Sequence, residues 1–247
     1  MKKKHVVEII ILLLSACVVF FLGWTQFRVG AGKCGILVSK TGGVNRQPVI
    51  PGKFTWHWEC LLPTNTDLRI FSLKPYSSVK TIRGELPSAD IYSSSYDKAP
   101  DFTYDFSFTV SEKVTPENLV ALVQDSTFTD SAGLFSYLDS AADVLSKKAA
   151  AYLLDKSSSD PSFKPSSITM QEYLDVIDAK REYPHITFAG FTLSSCRIPD
   201  RELYDSAREA YLSQEKAKQA RAAERKKKVN ELLDQFPELR SLFSSAE

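Results

Sequence analysis

The most apolar stretch of the chain lies at its amino terminus. Residues 9–27 contain no charged side chain. A helix of that length, at about 1.5 Å per residue, reaches roughly the 30 Å thickness of a bilayer core. Residues 1–28 are therefore predicted to form a short cytoplasmic tail and a transmembrane anchor. The apolar positions chosen to represent this anchor are Ile9, Leu13, Val18, Phe21, Trp24 and Phe27.

Charges on either side of the anchor predict its orientation. Lys2, Lys3 and Lys4 precede it, whereas Arg28 is the only basic residue immediately after it. The positive-inside rule then places the amino terminus in the cytoplasm and the bulk of the chain outside. The tetrapeptide Leu-Ser-Ala-Cys ending at Cys17 also has the form of a bacterial lipobox, which would make Cys17 a lipidation site. The alternative is a patch of small residues inside a helix, and both interpretations tether the chain.

Beyond residue 29 the pattern changes to short apolar stretches separated by turn residues, which is typical of β structure. The strand predicted at 102–110 has nearly perfect period-two alternation, and strands 33–39 and 54–59 are expected to pair as a hairpin. Residues 84–100 are polar and lack periodicity, so a long exposed loop is expected there. The predicted strands of this β-rich part are 33–39, 54–59, 67–73 and 102–110.

Helical periodicity begins at Thr115-Pro116-Glu117, where a capping residue, a first-turn proline and an early acid precede apolar positions. Further helices are predicted at 131–154, 167–180 and 199–235, with a strand at 186–193 before the last of them. The fold class is therefore α+β. The predicted organisation is an anchor (1–28), a domain (29–198) that is β-rich over 29–112 and α+β over 113–198, an alanine-rich charged helix (199–236) and a tail (237–247).

Composition excludes several classes of function. The chain has 31 Lys and Arg against 30 Asp and Glu, a formal charge of +1, so no overall basic field exists to bind nucleic acid. Four cysteines without a CxxC motif and only three histidines do not match a zinc site. No metal, cofactor or nucleic-acid partner is predicted.

A search for catalytic motifs finds none of the usual nucleophile, phosphate-binding or metalloprotease patterns. The three histidines are His5, His57 and His185, and their positions beside the anchor or within strands favour structural roles over that of a base. No catalytic residue is assigned, and the chain is predicted not to be an enzyme. The alternative hypotheses are a tethered hydrolase or a tethered extracytoplasmic binding module.

The expected hairpin suggests a disulfide. Cys34 and Cys60 lie near opposite ends of its two strands, and they would come close enough to bond in an oxidising compartment. The alternative is two independent small residues of the core. The register of the hairpin decides between the two.

Three aromatic residues share one face of the strand predicted at 54–59. These are Phe54, Trp56 and Trp58, which alternate with Thr55, His57 and Glu59. One interpretation, which is slightly favoured, is a core face. The other is a face that rests in the membrane interface close to the anchor.

The last predicted helix carries small residues along one stripe but lacks a strong coiled-coil seam. It is therefore either a single solvated helix or a helix that packs in a laterally repeated array. The candidate oligomer contacts are Leu203, Ala207, Ala210, Ala217 and Ala220.

The order of several motifs resembles one family. After the anchor come a glycine-framed strand at 32–38, the Pro51-Gly52 turn before an apolar segment, Leu62-Pro63, and Asp67-Leu68-Arg69. A strand at 188–193 then leads through Ile198-Pro199-Asp200-Arg201 to the alanine-rich helix. This arrangement, over roughly residues 25–235, resembles the SPFH (Band 7, stomatin/prohibitin/flotillin) family, and most closely its prohibitin-like HflK/HflC group.

The resemblance implies an N-terminal transmembrane helix, a β-rich SPFH subdomain, an α+β second subdomain and a long C-terminal helix. It implies a non-enzymatic scaffold that forms large homo- or hetero-oligomers on the bilayer and organises membrane microdomains. The implied partners are membrane lipids, further copies of the chain and a membrane-bound AAA protease. The implied location is the bacterial inner (plasma) membrane, with the bulk of the chain in the periplasm.

Overall fold

The computed structural model describes residues 3–25, 28–94, 96, 98–125, 128–160 and 162–235. Within these ranges helices and strands alternate in the mixed manner expected of an α+β chain, so the predicted fold class is confirmed. The helices are α1 (Lys3–Gly23), α2 (Ala89–Ser93), α3 (Pro116–Asp125), α4 (Ser131–Ser159), α5 (Met170–Val176), α6 (Ala179–Glu182) and α7 (Arg201–Gln235). The strands are β1 (Lys33–Ser39), β2 (Gly43–Val44), β3 (Thr66–Ser72), β4 (Tyr76–Glu85), β5 (Thr103–Lys113) and β6 (Thr187–Arg197).

The chain divides into two compact units. The first contains Met1–Ile82 and Phe106–Cys196, and the second contains Arg83–Asp105 and Arg197–Glu247. The segment between β4 and β5 therefore belongs with the C-terminal helix, a grouping that the sequence did not indicate.

The first unit contains a small antiparallel sheet in the order β2-β1-β3. Cys34 lies opposite Phe71 in this sheet, and both side chains are completely buried. Helices α3 and α4 cover the sheet, because Leu119, Leu134 and Leu138 pack into the same apolar cluster. The amphipathic pattern predicted for these two helices is thus confirmed, with α4 extending to Ser159.

A second sheet has the order β4-β5-β6. Strand β5 follows the predicted alternation, with Phe106, Phe108 and Val110 buried on one face. Tyr173 of α5 contacts the rings of both Phe108 and Phe191, which closes the core over this face. Strand β4 was not predicted from the sequence, because its half-buried positions include Ser78 and Lys80.

Three sequence expectations differ from the structure. The strand predicted at 54–59 is wrong: this segment holds one isolated bridge residue, Trp56, and a 3-10 turn at Trp58–Leu61. The expected hairpin is therefore absent, and β1 pairs with β2 and β3 instead. The polar segment 84–100 contains the short helix α2, and the helix predicted at 167–180 is divided into a 3-10 turn, α5 and α6.

The second unit has its own small core between α2 and α7. Tyr204 packs edge-on against Phe102, with ring centroids 5.2 Å apart, and its hydroxyl donates to the Pro87 carbonyl oxygen at 2.5 Å. Ala207 is fully buried in this cluster beside Ala89. Ala207 was predicted as an oligomer contact, and this is wrong, because its side chain is used inside its own chain.

Glu112 of β5 is a buried carboxylate in the first unit. It is completely inaccessible to solvent, and neither of its carboxyl oxygens has a hydrogen-bond partner within the described ranges. Lys80 bonds instead to Asp139, with Nζ and Oδ1 2.6 Å apart, and the Tyr76 hydroxyl donates to the same oxygen at 2.9 Å. Burial raises the pKa of Glu112 to about 8, with Lys80 opposing the increase and Asp139 adding to it.

This carboxyl group predicts a pH dependence of stability. The unfolded chain loses the Glu112 proton near the usual pKa of 4.5, whereas the folded chain keeps it until about pH 8. The folded state binds more protons in that window, so its stability falls as the pH rises, by at most about 1.4 kcal/mol per pH unit. Glu112→Gln should raise the free energy of unfolding at pH 8 and leave it nearly unchanged at pH 4.

Denaturant titrations at both pH values would measure this difference. Glu209→Gln, which removes an exposed carboxylate of α7, is the matched control. It should not alter how the free energy of unfolding changes with pH. Equal pH profiles for wild type and Glu112→Gln would contradict the assignment.

Candidate membrane interface

Helix α1 exposes apolar side chains in every direction. Its segment Lys4–Gly23 has a mean hydropathy of 2.8, and only 6% of the residues in its most apolar part are buried. By length and composition it can cross a membrane, as a membrane anchor or as a signal sequence. Among the predicted anchor positions, Ile9, Leu13, Val18 and Phe21 are exposed on its surface. Trp24 is half-buried just after the helix, and Phe27 lies outside the described residues.

The end of α1 is hydrogen-bonded to residues 55–57, which follow the Pro51-Gly52 turn. Trp24 and Trp56 form an antiparallel bridge. The His57 amide donates to the Gly23 carbonyl at 2.9 Å, and the Thr25 amide donates to the Thr55 carbonyl at 3.2 Å. These bonds, which we call the junction, hold residues 23–25 beside residues 55–57. The helix is therefore joined to the domain by paired backbone and not by a free linker.

Aromatic rings surround the end of the helix. Phe54 stacks on Phe20 with ring centroids 5.9 Å apart, and it also contacts Trp24 at 5.8 Å. The indole Nε1 of Trp56 donates to the Phe20 carbonyl at 3.2 Å, and the same oxygen accepts the Trp24 amide at 3.1 Å. We call this group the aromatic collar; its members are Phe20, Phe21, Trp24, Phe54, Trp56 and Trp58.

The exposure of the collar decides between the two interpretations of this segment. Phe54 is 57% exposed, Trp58 is 56% exposed and Trp56 is 38% exposed. The core interpretation, which the sequence slightly favoured, is therefore wrong for these three side chains. Amphipathic aromatic rings at the end of a membrane helix are typical of the headgroup region, where one part of the ring is dry and another is wet.

Gly23 makes the close approach of helix and collar possible. A Cβ atom at this position would lie 2.2 Å from Nε1 of Trp56, which is far inside van der Waals contact. Any other residue would displace the indole from its bond to Phe20. The glycine at the end of the apolar run is thus part of the junction.

His57 is a member of the junction, and its side chain is buried. Its Nδ1 lies 3.2 Å from the Asn45 side-chain amide, and its Nε2 has no hydrogen-bond partner among the residues that the structure describes. Burial lowers the pKa of His57, and the Glu59 carboxylate opposes this effect. The hydrogen bond with Asn45 fixes the orientation of the His57 ring. Within the same described ranges, no group of three or more His, Cys, Asp or Glu side chains could hold a metal ion.

The four cysteines are separate thiols in this structure. Cys34 lies in the core of the first sheet, where burial, with a contribution from Glu117, raises its pKa to about 11. Cys60 lies in the 3-10 turn and accepts a hydrogen bond from the Thr66 hydroxyl at 3.7 Å. The hairpin that suggested their pairing is absent, so the geometric basis for a disulfide is lost. Cys17 is exposed on α1.

The remaining candidate contacts lie on α7. Leu203 is 38% exposed, Ala210 is half-buried, and Ala217 and Ala220 are exposed. From residue 216 to residue 235 every described side chain of this helix is exposed. The second half of α7 therefore packs against nothing else in the described part of the second unit.

Comparison with known proteins adds one relative. No protein-family model matches the chain. The chain is 30% identical over 193 residues to an uncharacterised protein of Treponema pallidum (strain Nichols). The match covers 76% of this chain but 65% of the relative, which is slightly less than two thirds of its length.

The collar predicts a specific fluorescence result, because the three tryptophans of the chain, Trp24, Trp56 and Trp58, all belong to it. In vesicles that contain brominated lipids, tryptophan emission should be quenched most by bromines near the headgroups and less by bromines at the bilayer centre. Emission that is quenched by aqueous iodide but by neither brominated lipid would contradict the interface. Trp58→Phe, which keeps the aromatic surface, serves as a control and should lower the emission without changing the depth profile.

Proposed function

We propose that this chain is a non-enzymatic, single-pass membrane scaffold of the SPFH (Band 7) type that assembles laterally on the bilayer. The observation that carries the proposal is the junction between α1 and the aromatic collar. It makes an apolar helix and a surface suited to lipid headgroups parts of one compact unit. Cleavage after α1 would remove the junction partners of Thr55 and His57, so the helix is better suited to a permanent anchor than to a removable signal sequence.

The proposed location is the bacterial inner membrane, with the domain in the periplasm. This orientation depends on the lysines that precede α1 and on the rule that basic residues remain in the cytoplasm. Protease added to intact spheroplasts should then digest the domain. Digestion only after lysis would reverse the orientation.

Lateral assembly is proposed from the state of α7. An isolated helix is only marginally stable in water, and helices in proteins owe most of their stability to tertiary packing. The exposed half of α7, residues 216–235, has none within the described part of the second unit. A neighbouring chain is the simplest source of such packing. Membrane lipids and further copies of the chain are accordingly the proposed partners, and the resemblance to the SPFH family adds a membrane-bound AAA protease.

The motif order supports the choice of family. The glycine-framed strand of the resemblance corresponds to β1, and Asp67-Leu68-Arg69 lies in β3, its neighbour in the first sheet. The Pro51-Gly52 turn precedes the collar residue Phe54, and Asp200 immediately precedes α7. The quoted motifs therefore fall at the first sheet, the collar and the start of the long helix.

Assembly size tests the proposal. In mild detergent the full chain should form particles several times larger than the 27.7 kDa monomer. Ala217→Leu together with Ala220→Leu should reduce that size without lowering the melting temperature, because both sites are exposed and leucine is a good helix former. Ala207→Leu is the contrasting control: it should destabilise the fold by about 1–3 kcal/mol through overpacking of a buried site.

Two results would count against the scaffold. One is a wild-type chain that remains monomeric at high protein concentration. The other is the absence of a cross-linked ladder in native membranes. An unchanged oligomer in the exposed-alanine variant would mean that the lateral contacts lie elsewhere.

A further inference from the structure

An open groove lies between α4 and α5 in the first unit. It has a volume of about 370 Å³ and is lined by apolar side chains together with the carboxylates of Glu172 and Asp175. The apolar lining residues are Tyr152, Phe163, Ile168 and Val176. Val176 is 50% exposed, so its side chain is accessible from the groove. The groove thus offers an apolar floor with negative charge at its edge.

Both carboxylates are exposed at the surface. The Thr169 amide donates to Glu172 at 2.7 Å, which keeps the pKa of this carboxyl below its usual value. Asp175 accepts a bond from the Gln171 side chain at 3.0 Å and lies 3.9 Å from Lys180 in an exposed pair. Exposed pairs of this kind contribute little, so the carboxylate remains available to another cation.

The complementary surface is on the second half of α7. Residues 216–228 contain seven basic residues and one acidic residue, a net charge of +6. Because the whole chain carries +1, the rest of it carries −5. Residues 216–228 are therefore opposite in net charge to the remainder of the chain.

Apolar and basic residues of α7 share one face at its end. Arg225, Lys228, Val229 and Leu232 follow the spacing i, i+3, i+4 and i+7, which places them together on the helix surface. Val229 is 48% exposed and Leu232 is 52% exposed. Lys228 bonds at 2.8 Å only to the exposed Glu224 of the preceding turn. This spacing is the usual one for a helix that docks into a groove.

We propose that the groove between α4 and α5 accepts this face of α7 from a second copy of the chain. Val229 and Leu232 would occupy the apolar floor, and Arg225 and Lys228 would meet Glu172 and Asp175. The inference rests on the proposed scaffold function and names the surfaces that join its subunits. Since the two surfaces differ, the contact can repeat head-to-tail from copy to copy, as a ring or a row requires.

Charge reversal tests the contact. Arg225→Glu with Lys228→Glu should raise the protein concentration at the midpoint of assembly by about tenfold or more, as expected when close charge pairs across an interface are broken. Adding Asp175→Lys to the same chain should restore part of the assembly, and Glu172 is kept because its carboxylate caps α5. Lys216→Glu with Lys227→Glu makes the same change in net charge on the opposite side of the helix, and it should assemble like wild type.

Each outcome decides one question. Loss of assembly in the first variant, partial rescue by Asp175→Lys and a normal control together support the inference. Equal dispersal by the control variant would mean a general charge effect and would overturn it. Unchanged assembly after the first reversal would also overturn it, while the scaffold itself would stand if Ala217→Leu with Ala220→Leu still reduced the particle size. A monomeric wild type would instead remove the proposed function on which the inference rests.

A cross-link shows whether the contact joins two copies. Val176→Cys and Leu232→Cys would be placed in separately tagged chains, with the exposed Cys17 and Cys196 replaced by serine. Oxidation of the mixed assembly should give a product that carries both tags. Failure to form this product while the assembly persists would contradict the contact.

Discussion

The junction between residues 23–25 and residues 55–57 is the constraint on which the rest of this structure depends. An uncovered apolar helix in water is unfavourable at about 25 cal/mol per Å² of exposed apolar surface, so α1 needs a lipid environment. The junction joins the domain to this helix, because the amides of Thr25 and His57 and the indole of Trp56 form hydrogen bonds across it. The position of the domain therefore depends on the environment that α1 needs. In the proposed membrane-anchored state, the junction holds the first sheet and its helices close to the bilayer, and the aromatic collar lies where the hydrocarbon ends.

This arrangement gives the molecule surfaces that differ in apolar character, charge and burial. In the proposed scaffold the collar meets lipid, the cores around Phe71 and Phe108 are closed within the first unit, and the described side chains of residues 216–235 of α7 are exposed. Basic charge is concentrated on the unpacked helix, while the rest of the chain is acidic. Chains held in the plane of one membrane are restricted in orientation, so weak contacts between such surfaces can add into a stable assembly. A scaffold function uses all of these surfaces, whereas a monomeric tethered enzyme would leave the helix and its charge unexplained.

Much of the architecture follows from local patterns. The alternation of Phe106, Phe108 and Val110 predicted β5, and the uniform apolar run predicted α1. Strand β4 escaped prediction because Lys80 faces inward to bond Asp139, a partner 59 residues away. The burial of Glu112 could not be predicted either, because no residue near it in the sequence indicates that its site is buried.

The candidate site was only partly predictable. The sequence identified Phe54, Trp56 and Trp58 as a possible interface face, but it assigned them to a strand, because alternation alone does not show that the partner of Trp56 is the end of the anchor helix. Ala207 and Ala217 look equivalent in sequence. Tertiary contacts with Ala89 and Tyr204 bury Ala207, whereas Ala217 is exposed.

The central claim is that the anchor and the domain form one unit at the membrane surface. Hydrogen exchange of the full chain in lipid nanodiscs tests it at the junction amides of Thr25 and His57. If these amides are bonded to Thr55 and Gly23, their exchange should be slower than that of an unstructured peptide by about a hundredfold or more. Exchange of both amides at the unprotected rate, while the amides of β1 stay protected, would mean that the domain hangs from a free linker and would contradict the account.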